Sequence, residues 1–307
     1  MINSSLTPTV DENATDLNVY TVTASDAGDP DAVITYGLKS GSDAAVSIDS
    51  ATGVVTLAAS PDYETQSTYV FTATAADAAG NASESTITLS VNNIDESAPT
   101  ITSGGTAAAV AENSGAGQVV YTVTSDDSAD VSGGVSYALG GTDAALMSID
   151  SVSGAVTLTG NPDEESQASY AFTVTATDAA SNSSEQAVTL SVTDLDEVAP
   201  SITSSATGLV VEDSGANKLV NTVTSDDSGD IATGATSYSL TAGSDSALSI
   251  DSSTGQVTLS DNPKKDVQDT YNFTVVATDA AGNASELAVS LTVDVAPLIN
   301  SSLTPNV

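Results

Sequence analysis

The sequence contains no cysteine, histidine or tryptophan, and its lysines and arginines together number 4. Without cysteine, neither a disulfide nor a thiolate-held metal can stabilise the fold. Without histidine, the chain lacks the commonest transition-metal ligand and the side chain that titrates nearest neutrality. No tryptophan and an aromatic content of 4% leave little surface on which a sugar could stack. The 41 acids give a net charge of -37, which argues against nucleic acid and anionic membrane surfaces as partners. No apolar run approaches the ~20 residues of a membrane span. Met1 is followed by polar residues rather than by the apolar stretch of a signal peptide, so the sequence reads as a fragment of a longer chain.

What is present is a repeat. The run around Ile48 and Asp49, SIDSATGVVTL, recurs around Ile149 and Asp150 and again around Ile250 and Asp251. Gly53, Gly154 and Gly255 hold one position within it, and Tyr69, Tyr170 and Tyr271 open a second shared run that contains Asp77, Asp178 and Asp279. Each copy begins near Glu12, Glu112 or Glu212. Self-similarity at a period of about a hundred residues implies an array of like modules. The expected limits are 1–97, 98–198 and 199–296, with 297–307 opening a following repeat, because the residues from Ile2 reappear from Ile299.

Within a copy, apolar residues alternate, as at Tyr69, Phe71 and Ala73 and at Ile87, Leu89 and Val91. A period of two marks half-buried strands, and no segment sustains a helical period. Short Val/Thr/Tyr-rich runs separated by Asp, Gly, Asn and Ser clusters predict an all-β antiparallel sandwich in each copy. Gly53 fits a turn that needs positive φ, and the stretch from Asp77 fits a second turn. Phe71, Phe172 and Phe273, with the tyrosines two residues earlier, are expected in the core rather than on a binding platform.

The copies are joined by short acidic tethers, Asn93 to Pro99 and Asp194 to Pro200, each ending in Ala-Pro. Proline restricts φ and the residue before it, so neighbouring modules are expected to lie close together. With the early glutamates, the Pro-Asp-Tyr-Glu and Pro-Asp-Glu-Glu runs at Pro61 and Pro162, and the Asp that ends each long strand, this pattern resembles cadherin repeats. The closest style is that of the extender region of large bacterial surface adhesins of the repeats-in-toxin type. The resemblance covers all three copies and implies seven-stranded Greek-key sandwiches, immunoglobulin-like, arranged end to end.

It also implies calcium at the joints. Calcium takes about six to eight oxygens, so it needs carboxylates gathered from several segments. Carried over by motif, the first joint draws on Glu12, Asp62 and Glu64, on Asn93, Asp95 and Glu96 of the tether, and on Asp178 with one or both of Asp126 and Asp127. The second draws on Glu112, Asp163 and Glu165, on Asp194, Asp196 and Glu197, and on Asp226 or Asp227 with Asp279. The third copy departs: Lys264 stands where Asp62 and Asp163 stand, Asp266 replaces the glutamate, and the segment after it lacks the acidic tether. A metal-poor joint is expected there, with Lys264 or Lys265 supplying the charge. Asp26, Asp29 and Asp77, at the opposite end of the first copy, are expected to bind calcium weakly or not at all.

The resulting expectation is a calcium-rigidified spacer on the outside of a bacterial cell, with the neighbouring repeats as its partners and no catalytic activity. Paired acids such as Asp62 and Glu64 recur at a module edge without histidine or aromatic company, which does not describe an active site. Direct adhesion, between copies or to a cell-surface glycan, and a calcium-independent spacer are the alternatives.

Overall fold

The structure, a computed structural model, describes residues 1–26, 28, 33–131, 133–231 and 234–295. The expected start of a further repeat at 297–307, and Asp29, lie outside the described residues. Three all-β sandwiches are present, each built on two main sheets, with a further two-stranded pairing in the second (Thr100–Ile101 with Ser125–Asp126) and third (Ser201–Ile202 with Ser225–Asp226) repeats.

In the first repeat the long strands Thr68–Ala76 and Ala82–Asn92 form an antiparallel hairpin, with Phe71 opposite Ile87 and Tyr69 opposite Leu89. Strand Thr35–Leu38 flanks one side, and Thr9–Asp11 pairs in parallel with the far end on the other. The opposing sheet runs in the order Asn18–Thr21, Val54–Leu57, Val46–Ile48. Alternation sets the faces: Tyr69, Phe71, Ala73 and Ala75 are buried, whereas Val70 between them is 48% exposed. Val55 and Leu57 of one sheet, with Val22 just past its first strand, meet Phe71, Ile87 and Leu89 of the other in one core. The expected placement of Tyr69, Tyr170 and Tyr271 is seen, since all three are buried.

The third repeat repeats this plan. One sheet is ordered Thr207–Val211, Ala284–Asp294, Thr270–Thr278, Ser237–Leu240, and the other Lys218–Thr222, Gln256–Leu259, Leu248–Ile250. The second repeat matches it with Val110–Ala111, Ser183–Thr193, Ser169–Thr177 and Ser136–Gly140 in one sheet, and Gln118–Thr122, Ala155–Leu158 and Met147–Ile149 in the other. A register shift falls at the same place in each copy, between Asn18 and Tyr20, Val119 and Tyr121, and Leu219 and Asn221.

Contacts divide the chain into two compact units. The first comprises 1–108, 117–160 and 170–190, and the second comprises 109–116, 161–169 and 191 onward. The second repeat contributes to both. Its Pro-Asp-Glu-Glu turn and the residues around Glu112 group with the tether that follows them and with the third repeat.

The turn glycines carry the expected geometry. Gly53, Gly154 and Gly255 have φ of 73°, 71° and 65°, and a Cβ at each would lie 2.3, 2.6 and 2.4 Å from the carbonyl oxygen of Val22, Val123 and Val223. The preceding aspartate closes the same turn: Asp49 accepts from the Ala51 and Thr52 amides and the Thr52 hydroxyl. These bonds hold the carboxyls of Asp49, Asp150 and Asp251 below the usual value, Asp251 down to about 2. The second expected turn is also present, with the Asp77 amide bonded to the Asn81 carbonyl and positive φ at Gly80.

Gly154→Ala combines a left-handed backbone with a backbone clash, and is expected to cost about 2 kcal/mol or more. Phe172→Ala removes a fully buried ring that meets Tyr121 edge-on at 6.0 Å and is expected to cost about 3–5 kcal/mol. Denaturant unfolding of both variants against the parent at fixed calcium checks the two values.

Candidate metal centres

The parallel pairing of Thr9–Asp11 with the end of Ala82–Asn92 delivers Glu12 beside the first tether, its amide bonded to the Asn92 carbonyl. Glu12 is 2% exposed. One carboxylate oxygen accepts from the Tyr63 amide at 2.8 Å and the other from the Ile94 amide. A single buried side chain thus ties the Pro-Asp-Tyr-Glu turn to the tether. Glu112 does the same with the Glu164 and Leu195 amides, and those bonds lower its pKa.

Around these glutamates the acids converge. In the first unit, oxygens of Glu12, Asp62 and Glu64 lie within 4.8 Å of one another, as do those of Asp95, Asp127 and Asp178. In the second unit the groups are Glu112, Glu165 and Asp194; Glu165, Glu197 and Asp230; and Asp196, Asp227 and Asp279. Among the described residues the salt bridges are Lys39 with Glu84 and Lys264 with Asp213, so no lysine neutralises any of these groups.

The tethers are held by hydrogen bonds as well. Asn182 donates to the Asp95 carbonyl at 3.0 Å and Ser184 to the Pro99 carbonyl. In the second unit Asn283 donates to the Asp196 carbonyl at 2.8 Å and Ser285 to the Pro200 carbonyl. Asn182 and Asn283 also bond the carboxylates of Asp178 and Asp279, each 6% exposed.

Burial and like charge leave their mark on the acids. Partial desolvation by its neighbours, followed by the charges of Glu12, Asp130 and Glu96, pushes the pKa of the exposed Glu64 carboxyl up. Burial with Asp178, Asp127 and Asp130 raises Asp95, and burial with Glu12 and Asp130 raises Glu96. Burial is also the leading cause for Asp194, Glu197 and Asp227. At Glu165 a backbone hydrogen bond lowers the pKa, but burial and the charges of Glu112, Asp230 and Glu197 outweigh it. At Asp279 the order reverses: burial raises it, and hydrogen bonds from Asn283 and Gly282 bring it below the usual value.

Among the described residues, buried oxygens of Asn93, Asp127, Asp194, Asp227 and Asp279 have no hydrogen-bond donor. A buried carboxylate oxygen without a donor is costly unless a cation meets it. The donor set is entirely oxygen, gathered from turn, tether and loop, which fits a hard ion of the calcium class rather than zinc or copper.

Most of the residues expected from sequence lie in or against these groups. Asn93 contributes its buried oxygen and donates to Glu64 at 3.3 Å. Glu96 lies near Glu12, Asp62, Asp95 and Asp130, whose charges act on it. Asp126 and Asp226 lie outside the groups and accept the Ser128 and Ser228 amides. Asp163 also lies outside them, accepting the Ser166 amide, although its charge reaches Glu197. Asp130 and Asp230 were not among the expected residues. The Glu96 and Glu197 amides donate to them at 3.4 and 3.2 Å. Their signal was a third acid at the same spacing in SDDSAD and SDDSGD. Asp26 and Asp77 accept local donors, the Gly28 amide and Asn81 respectively.

A family model for the cadherin domain matches residues 7–92, 106–193 and 207–296. The chain belongs to the cadherin family. It is 30% identical to protocadherin Fat 4 of Mus musculus over 254 residues, covering 80% of this chain and 5% of that protein. Among solved structures, mouse cadherin-23 EC22-24 superimposes with a TM-score of 0.64 at 25% identity, covering 94% of this chain and 96% of that one. Mouse protocadherin-24 EC1-3 shares the fold at 19% identity, with a TM-score of 0.66 and coverage of 96% and 98%.

An acid with a raised folded pKa holds more protons in the folded chain than in the unfolded one, so it loses stability as pH rises through that pKa. Glu64, Asp95, Glu96, Glu165, Asp194, Glu197 and Asp227 are of this kind. Asp49, Asp62, Glu112, Asp150 and Asp251 act in the opposite sense and lose stability as pH falls through their lowered values. In chelator, melting temperature is therefore expected to rise as pH falls from 7 towards about 4.5 and to drop below about 4. Thermal melts across that range check the maximum.

Proposed function

We propose that this cadherin segment is a calcium-stiffened extender on the outside of a cell, with calcium held where the base of one repeat, the acidic tether and the loops of the next repeat meet. The observation that carries this reading is the set of buried carboxylate oxygens that no donor among the described residues satisfies. In the first unit the residues proposed to hold calcium are Glu12, Asp62, Glu64, Asn93, Asp95, Glu96, Asp127, Asp130 and Asp178. In the second they are Glu112, Glu165, Asp194, Asp196, Glu197, Asp227, Asp230 and Asp279, with Asp163 alongside. Calcium, when bound, supplies a divalent charge that several of these oxygens can share.

The chain's own part is to bring the acids together and keep the tether in place. Glu12 and Glu112 fix the tether amides, while Asn182 and Asn283 fix the tether carbonyls and orient Asp178 and Asp279. Neutralised, the acids hold these pieces together; bare, they repel. The proposed limits of the repeats are 1–97, 98–198 and 199–296, so that each tether closes the repeat before it. Homophilic contact stands as an additional partner surface. A bacterial source rests on repeat style and on the scarcity of lysine, whereas the curated relative with 30% identity is a mouse protein. An enzyme is not proposed: cadherin domains are adhesion modules, and the acids lie at strand ends and in the tethers.

Scattering and thermal melting on one sample, in millimolar calcium and then in chelator at constant ionic strength, test the reading. Calcium is expected to lengthen the particle and raise its melting temperature, with stabilisation of about 2.7 kcal/mol at a hundredfold excess over the dissociation constant. Asp127→Asn with Asp227→Asn is expected to reduce both effects. Superimposable curves with and without calcium would reduce the segment to a passive spacer.

A further inference from the structure

The three repeats share a turn at their base, and in the third its charges are rearranged. Asn13, Asn113 and Asp213 occupy one position, with φ of 57°, 54° and 56°. Each donates its amide to a proline carbonyl, Pro61, Pro162 or Pro263, at 2.9 Å. The residue after that proline is Asp62, Asp163 or Lys264. The third repeat therefore carries an acid where the others carry a neutral amide, and a base where they carry an acid.

The two changes meet in space. Lys264 Nζ lies 2.9 Å from Asp213 Oδ1, and Asn262 donates to the same oxygen at 2.9 Å. The turn itself is conserved: Glu212 accepts the Lys265 amide at 3.1 Å, as Glu12 accepts that of Tyr63 and Glu112 that of Glu164. Positive charge is scarce in this chain, yet Lys264 and Lys265 are two of its 4 basic residues. The lysine also lowers the Asp213 pKa. Among the described residues, no acidic group of three forms at this base. Charge-assisted contact between ammonium and carboxylate supplies from within the chain the counter-charge that the corresponding acids elsewhere must obtain from solution.

We propose that Lys264 is a built-in counter-cation, so that the base of the third repeat does not take calcium whereas those of the first and second do. This rests on the calcium reading above and adds which poles load. Calcium alters the first two bases, while the third keeps its geometry in calcium and in chelator alike.

Equilibrium dialysis with calcium tests it on the full chain. Glu165→Gln is expected to lower the calcium bound per chain, and Asp266→Asn to leave it unchanged. Joint Asp213→Asn and Lys264→Asp, which removes the lysine counter-charge and gives the third base the residues of the second at those two positions, is expected to add about one ion. A loss of calcium in Asp266→Asn, or no gain in the joint variant with parental circular dichroism, overturns the proposal and leaves the extender reading standing. A parent chain that binds no calcium overturns both. If the joint variant fails to fold, Asp266→Asn decides alone.

Discussion

The arrangement depends on like-charged carboxylates crowded into partly buried groups with no basic residue to neutralise them. Desolvation and mutual repulsion raise the pKa of several of these acids, and among the described residues no donor meets five buried side-chain oxygens at the candidate sites. In a chain without histidine or cysteine and with 4 basic residues, relief has to come from protons or from dissolved cations. Near neutral pH protons are scarce, and the proposed calcium would supply the missing positive charge.

The sheets exist, in this sense, to present strand ends. Parallel pairing of the short first strand with the end of the long last one sets Glu12 and Glu112 beside the tethers. The hairpin between the two longest strands ends in the turn that holds Asp178 or Asp279 beside its asparagine. Sandwich cores keep these positions fixed, and the acids ride on elements whose register is set by alternating burial. The third repeat keeps the same plan with a lysine at its base, where Lys264 meets Asp213.

Much of this was legible in the sequence. Alternation at Tyr69, Phe71 and Ala73 gave the strands and their inward face, and the recurring glycine gave a turn whose φ is positive in all three copies. The resemblance to cadherin repeats pointed to strand ends and tethers where acidic groups do gather. The choice between Asp126 and Asp127, and between Asp226 and Asp227, was not legible, because adjacent residues on extended backbone face opposite ways. Pairing of Ser125–Asp126 with Thr100–Ile101 puts Asp126 in the ladder and Asp127 just beyond it, beside Asp95. Asp130 and Asp230 were hidden for a related reason, since a loop fold rather than a strand period brings them to the tether.

Hydrogen exchange at the tether amides gives the most direct test of the central claim that these acids need a cation to hold the tethers. Ile94 and Leu195 donate to Glu12 and Glu112, so their protection should rise when calcium replaces chelator, while the core strands Thr68–Ala76 and Thr270–Thr278 change little. Equal protection of those two amides in calcium and in chelator would contradict the account.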